Sequence, residues 1–286
     1  MSLFLDACTE FLRTQPFPFT RLSESRYGRM ETAEIAPANP CQNVYSVAKT
    51  FTMTAIGLLW DKSLIGTNEK ISDILREEMP DNADERWEAV TVEMALRHRA
   101  GLPEGFLDID AHPSAEFTTD FLRYMLSTPL EYAPDTDRKY SDGAYYLLAR
   151  LAEKKTGLPL DTFLWTELLV PLGFQEMAWS HCPQGHVIGA TGLYIHSSDM
   201  VKLGQVYLEG GTYNGKRLLS ENWCRLAVEK EFALDRDDGR GIYSKGGIRG
   251  QKLLILPGQH RAVAMQSFEG NTGILTDFIC QYGDID

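Results

Sequence analysis

Ser46 and Lys49 stand three residues apart in Tyr45-Ser46-Val47-Ala48-Lys49, ahead of an apolar run in which Phe51, Ala55, Leu58 and Leu59 recur at helical spacing. On a helix, residues i and i+3 share a side, with Cβ atoms about 5–6 Å apart. A hydroxyl and an amine so placed can serve as nucleophile and activating partner. A serine in the first turn also directs its backbone N–H toward a developing oxyanion, where the helix N-terminus adds positive potential. Taken alone, the pair reads more readily as a helix-capping serine and a solvated lysine.

Two further sites change that balance. Tyr140 lies in Lys139-Tyr140-Ser141-Asp142, immediately before an amphipathic stretch, where its ring can face a cleft. Alone it reads as a packed aromatic with a satisfied hydroxyl. Tyr243-Ser244-Lys245-Gly246-Gly247 reads as an edge-like strand ending in glycines, which lets a substrate backbone lie close. A solvated lysine at a hairpin is the plainer account of Lys245. His181-Cys182 followed by His186 has the look of a metal cluster, but Pro183, Gln184 and Gly185 make it a loop and no fourth ligand follows. The five cysteines show no CxxC spacing and read as free thiols.

The elements that must hold these residues follow from periodicity. Residues 3–13 are amphipathic, and two weak strands occupy 19–35, joined around Tyr27-Gly28. A helix is expected from Ser46. Helical periods follow in Thr91–Arg99, Thr118–Leu126, Gly143–Lys155 and Leu160–Leu169, then from the candidate caps Ser197, Ser198 and Asp199 to Tyr207. Gly241–Gly247, Lys252–Leu256 and Ala262–Phe268 are β-prone, with Pro257-Gly258 between the last two, and Ile274–Gln281 reads as a closing helix. The expected fold is therefore an α/β lobe built from both chain ends (1–45 and 195–286). An all-α lobe (46–194) is inserted between them, and a cleft between the lobes is a natural ligand site.

Together Ser46-x-x-Lys49, Tyr140-Ser141-Asp142 and Lys245-Gly246-Gly247 resemble the three ordered motifs of the serine β-lactamase and penicillin-binding-protein superfamily. The branch most similar is that of class C β-lactamases, D-aminopeptidases and related esterases. Four longer segments carry the likeness from about Tyr45 to Asn271: SVAKTFTMTAIGLLWDKSLIGTNEKISDIL, VTVEMALRHRAGLPEG, TGLYIHSSDMVKLGQVYLEGGTYNGKRLLS and GIRGQKLLILP. The resemblance implies a β-lactamase/transpeptidase-like fold, an antiparallel sheet flanked by helices with a helical lobe inserted.

It also implies roles. Ser46 would attack a carbonyl and become acylated, Lys49 and Tyr140 would share the proton transfers, and water would release the acyl group. The oxyanion would lie between the backbone N–H groups of Ser46 and Ile248, and Lys245 would keep the site electropositive. Two motifs depart from the family's pattern. Asp142 replaces an asparagine, so an ionised side chain there can only accept, and beside a lysine it would raise that lysine's pKa. Gly246 replaces a threonine and removes a hydroxyl; Arg249 is a candidate substitute anchor for a substrate carboxylate. These changes favour an esterase or a D-amino-acid peptidase over an efficient β-lactamase. Asp142 is expected to favour substrates with a free amine if it faces the cleft. A non-catalytic ligand-binding relative is the alternative.

Composition sets the outer bounds. The net charge of −12 disfavours nucleic acid as a partner, and no apolar run reaches membrane-spanning length. The expected partner is a small-molecule or peptide-like substrate, with no cofactor or metal. The first residues carry Asp6 and Glu10 and do not read as a secretory leader. The expected location is cytoplasmic for this sequence, and extracytoplasmic if a leader preceded it.

Overall fold

The computed structural model describes residues 2–282. The chain divides into two compact units: Met1–Val47 with Leu168–Ala178 and Leu193–Asp286, and Ala48–Glu167 with Trp179–Gly192.

The first unit is built on a six-stranded antiparallel sheet. Its order across the sheet is Arg29–Glu34, Phe19–Arg26, Arg261–Ser267, Gln251–Leu256, Ile242–Gly247 and Asp235–Asp237. The two chain ends thus meet at its centre, Leu22 opposite Met265 and Glu24 opposite Val263. Side chains alternate between the faces. Leu254, Leu256, Val263 and Met265 pack with Phe4, Leu5, Leu12, Leu275 and Ile279, from the helices Leu3–Arg13 and Gly273–Tyr282. The alternate residues Leu253, Ile255 and Ala262 meet the helix Ser197–Leu208. A Cβ added at Gly204 of that helix would lie 3.0 Å from both Ala262 Cβ and Leu253 Cδ1. Both faces are covered, so these central strands read as near-continuous apolar runs. Each fully buried Leu or Val contributes about 1.5–3 kcal/mol.

The strands and helices lie where periodicity placed them, with ends shifted by one to three residues for most elements. The helix expected from Ser46 begins as α-helix at Ala48, and Ser46 occupies a 3₁₀ turn, Tyr45–Val47. Thr91 caps rather than begins its helix, Val92–Leu96, accepting from Met94 N–H, and the helix expected from Thr118 starts at Phe121, capped by Asp120, which accepts from Arg123 N–H. His196, not one of the three expected residues, occupies the N-cap of Ser197–Leu208, and Ser197 Oγ instead meets Ser23 Oγ at 2.8 Å. The outer strand Asp235–Asp237 and the helix Glu221–Glu229 have no counterpart in the sequence reading. A charged edge strand carries no alternation to detect.

The second unit is helical. Ala48–Asp61 is buried from Ala48 to Leu59, and Asp142–Thr156 is buried along most of its length. Gly189 sits against the latter: an added Cβ would fall 2.7 Å from Ala149 Cβ and 2.9 Å from the Tyr145 carbonyl oxygen. Thr52 Oγ1 donates to the Gly189 carbonyl at 2.7 Å and ties the first helix to the same loop. Gly157 ends the second helix in the left-handed region. Among the described residues no helix is long and apolar enough to cross a membrane.

Candidate active site

In the first unit, Ser46 is presented by a tight turn. The strand Gln42–Asn43 pairs with Leu193–Ile195, and Val44 N–H continues the pairing to the Leu193 carbonyl at 2.8 Å. Asn43 Oδ1 then accepts from Tyr45 N–H at 2.9 Å, and Val47 N–H donates to the Val44 carbonyl at 3.1 Å. Tyr45 adopts φ +47°, a left-handed conformation that costs a non-glycine residue about 1–2 kcal/mol. Such strain persists where the surroundings fix it, and it often marks a functional turn.

The strand Ile242–Gly247 runs beside this turn. A Cβ at Gly247 would come within 2.4 Å of the Val44 carbonyl oxygen and 3.2 Å of Tyr45 Cβ, so glycine is required there. The strand is next to the edge rather than at it. Asp235–Asp237 pairs with Ile242–Ser244, a register that stops short of Lys245–Gly247. Ile248 follows and is exposed. Arg249, at φ +60°, precedes Gly250 at +84°. A cavity of about 270 Å³ lies here, lined by Asn43, Tyr45, Tyr194, Arg249, Gln251 and Phe268 among others. At Gly246 an added Cβ would meet only Thr272 Oγ1, at 3.8 Å, so a larger side chain would fit.

Lys245 is buried, with Nζ 3.8 Å from Asp235 Oδ2. Neighbouring Lys252 donates to Ser244 Oγ at 3.0 Å. Burial lowers the Lys252 pKa and nearby Lys245 lowers it further, against the opposing charge of Asp235.

In the second unit, Lys49, Tyr140 and Asp142 come together. Lys49 is fully buried. Its Nζ donates to Asp142 Oδ1 at 2.7 Å and to the Ala190 carbonyl at 3.0 Å, and lies 4.9 Å from the centre of the Tyr140 ring. Asp142 is the first residue of its helix, where the N-terminal dipole favours a carboxylate. Burial alone would depress the Lys49 pKa. Asp142 and Tyr140 outweigh it and hold the ammonium above the ordinary lysine value.

Three participants in this cluster carried no sequence signal. The His98 ring packs on Tyr140 and Tyr145 at 4.5 and 5.0 Å, and its Nδ1 accepts from Ser141 N–H at 3.3 Å. His98 thereby positions the Tyr140–Ser141 loop. The Ala190 carbonyl is backbone chemistry, which no residue type announces. Asp110 accepts from Thr191 Oγ1 at 2.6 Å; burial and the nearby Asp142 and Asp108 raise its pKa against that hydrogen bond. The His181–His186 loop engages elsewhere: His181 pairs with Asp161 at 3.2 Å and His186 with Glu153 at 2.8 Å, while Tyr146 Oη donates to Cys182 Sγ at 3.5 Å.

The family profile described as Beta-lactamase matches residues 26–271. The chain is 27% identical over 280 residues to N-acetylmuramyl-L-alanine amidase of Bacillus subtilis (strain 168), covering 79% of this chain and 62% of the relative. It spans between 33% and 62% of the length of the first curated relatives it matches. Among solved structures it resembles EstCE1, a hydrolase with promiscuous acyltransferase activity, at TM-score 0.75 and 15% identity over 98% of this chain and 99% of the other. It also resembles a D-stereospecific amidohydrolase from Streptomyces sp. at TM-score 0.71 and 16% identity, over 96% and 97% of the two chains. Likeness to a putative beta-lactamase from Bacteroides dorei DSM 17855, at TM-score 0.76 and 14% identity over 97% of each chain, establishes the β-lactamase/penicillin-binding-protein fold, an antiparallel sheet with flanking helices. With the profile spanning most of its length, the chain belongs to the β-lactamase family.

Proposed function

We propose that the protein is a serine hydrolase of the class C-like branch that forms an acyl-enzyme on an ester or amide. Ser46 Oγ bonds to the substrate carbonyl carbon, its proton enters the relay shared by Lys49 and Tyr140, and the departing alcohol or amine receives a proton. Water then cleaves the acyl–serine ester and regenerates Ser46. The backbone N–H groups of Ser46 and Ile248 serve the oxyanion. Lys245 supplies positive potential, and Gly246, Gly247 and Arg249 shape the substrate's surroundings.

The observation that carries this reading is the complete burial of Lys49 three residues after Ser46. A lysine without a task extends its ammonium to water. Asp142 is engaged with Lys49 and offers no donor to a substrate amide, and Gly246 offers no hydroxyl. Both features favour an ester or a D-amino-acid amide over efficient turnover of penicillins.

The test is intact-protein mass after exposure to a fluorophosphonate, and separately to penicillin, with Ser46→Ala as control. The expected result is one phosphonyl adduct that Ser46→Ala abolishes. A second reading, a ligand-binding relative without turnover, draws on the carboxylate that keeps Lys49 charged. Failure of both probes to label Ser46 would favour it.

A further inference from the structure

The strand that leads into the Ser46 turn carries a second cluster of donor atoms, apart from the hydrolytic residues. Cys41, Glu176 and His196 come from three separated stretches of the chain, yet one ligand atom from each lies within 4.8 Å of the other two. Gln42 pairs with Ile195 and Asn43 with Tyr194, so Cys41 and His196 flank the paired stretch at the same end. Glu176 completes the group, with Oε1 3.0 Å from His196 Nε2. Cys41 is half-buried and forms no disulfide, and its backbone N–H is fixed by Asn39 Oδ1 at 2.9 Å.

We propose that Cys41, Glu176 and His196 form a binding site for a zinc-like divalent cation. A thiolate, an imidazole and a carboxylate are the donor types such an ion takes, and three protein ligands leave its fourth position to water. On binding, the Cys41 S–H proton leaves to water and a sulfur–metal bond forms. His196 coordinates through Nε2 as the neutral tautomer protonated at Nδ1, and any further proton shared with Glu176 leaves to water as both turn to the ion. The ion would clamp the start of strand Gln42–Asn43, and with it the approach to the Ser46 turn. The site does not depend on acyl chemistry at Ser46.

The test titrates the metal-free protein with cobalt(II) as a spectroscopic probe and with zinc(II) in thermal melts, beside Cys41→Ser and Glu176→Gln. One equivalent of cobalt should give a thiolate-to-metal charge-transfer band that Cys41→Ser removes. Zinc at about a hundred times its Kd should raise the melting temperature by roughly 5 °C in the parent protein. Glu176→Gln, whose exposed side chain leaves the fold intact, should weaken binding about tenfold or more. A cobalt band unchanged in Cys41→Ser would overturn the site, since the thiolate would then be another cysteine. So would the absence of any band, or equal zinc affinity in parent and Glu176→Gln.

Discussion

Among the described residues, two ion pairs bury both partners, and they differ in the residue that bears the positive charge. In the sheet unit, Arg261 Nε lies 2.7 Å from Glu24 Oε1, with the guanidinium 3.7 Å over the Phe4 ring and Nη1 donating to Gln259. In the helical unit, Lys49 meets Asp142 at 2.7 Å beneath Tyr140. A guanidinium cannot shed its proton under any ordinary condition, whereas a buried ammonium can. The fold thus uses a permanent charge in the sheet core, with Ser2 at the N-cap of the first helix also bonding Glu24. In the helical unit it buries an ammonium instead, three residues after Ser46. The pairs look alike in distance and burial, and they answer differently when a partner is removed.

The largest effect is expected in the sheet. Glu24→Ala strands a buried guanidinium and should cost about 3–5 kcal/mol, read from denaturant unfolding. A loss below about 1 kcal/mol would mean that the Glu24 carboxylate is dispensable to Arg261.

Asp142→Asn should cost less, about 1–3 kcal/mol near neutral pH, because Lys49 can respond by losing its proton. The sign of its pH dependence separates the two pairs further. In the parent, the folded Lys49 pKa lies above the unfolded one, so the pair's stabilisation is complete below about 10.5 and is lost as pH rises through the folded value. Without Asp142, only Tyr140 opposes burial, so the folded pKa falls from its parent value and less stability should be lost than in the parent as pH rises. Unfolding series at several pH values check this; parallel curves for parent and variant would contradict it.

The smallest stability effect is expected where both partners are replaced. Glu24→Leu with Arg261→Met should be near neutral or stabilising, within about 1–4 kcal/mol, since the desolvation cost disappears with the charges. Asp142→Leu with Lys49→Met should fold as well, yet lose all labelling at Ser46. Retained labelling would assign Lys49 a purely structural place.

These contrasts also explain what was legible in the sequence. The central strands and long helices were readable because their apolar faces repeat, as in Leu253–Leu256 and along Asp142–Thr156. Ser46, Lys49, Tyr140 and Lys245 were readable as residue types in ordered motifs. Contacts made across distant segments were not. Nothing in the chain announces that Ala190 lends a carbonyl to Lys49, that His98 packs on Tyr140, or that Cys41 lies near His196. Each depends on loops whose conformation follows from packing rather than local pattern. Glu24 and Arg261 read as polar interruptions of otherwise apolar strands. Only the pairing of the two chain ends makes them partners.

The most direct test of the central claim, that Lys49 is a movable charge serving Ser46, is the rate of fluorophosphonate labelling as a function of pH in the parent and in Asp142→Asn. Removing the carboxylate should shift the ascending limb to lower pH, because one of the groups holding the Lys49 ammonium against burial is gone. Superimposable profiles would show that Lys49 does not govern the reactivity of Ser46, and would contradict the account.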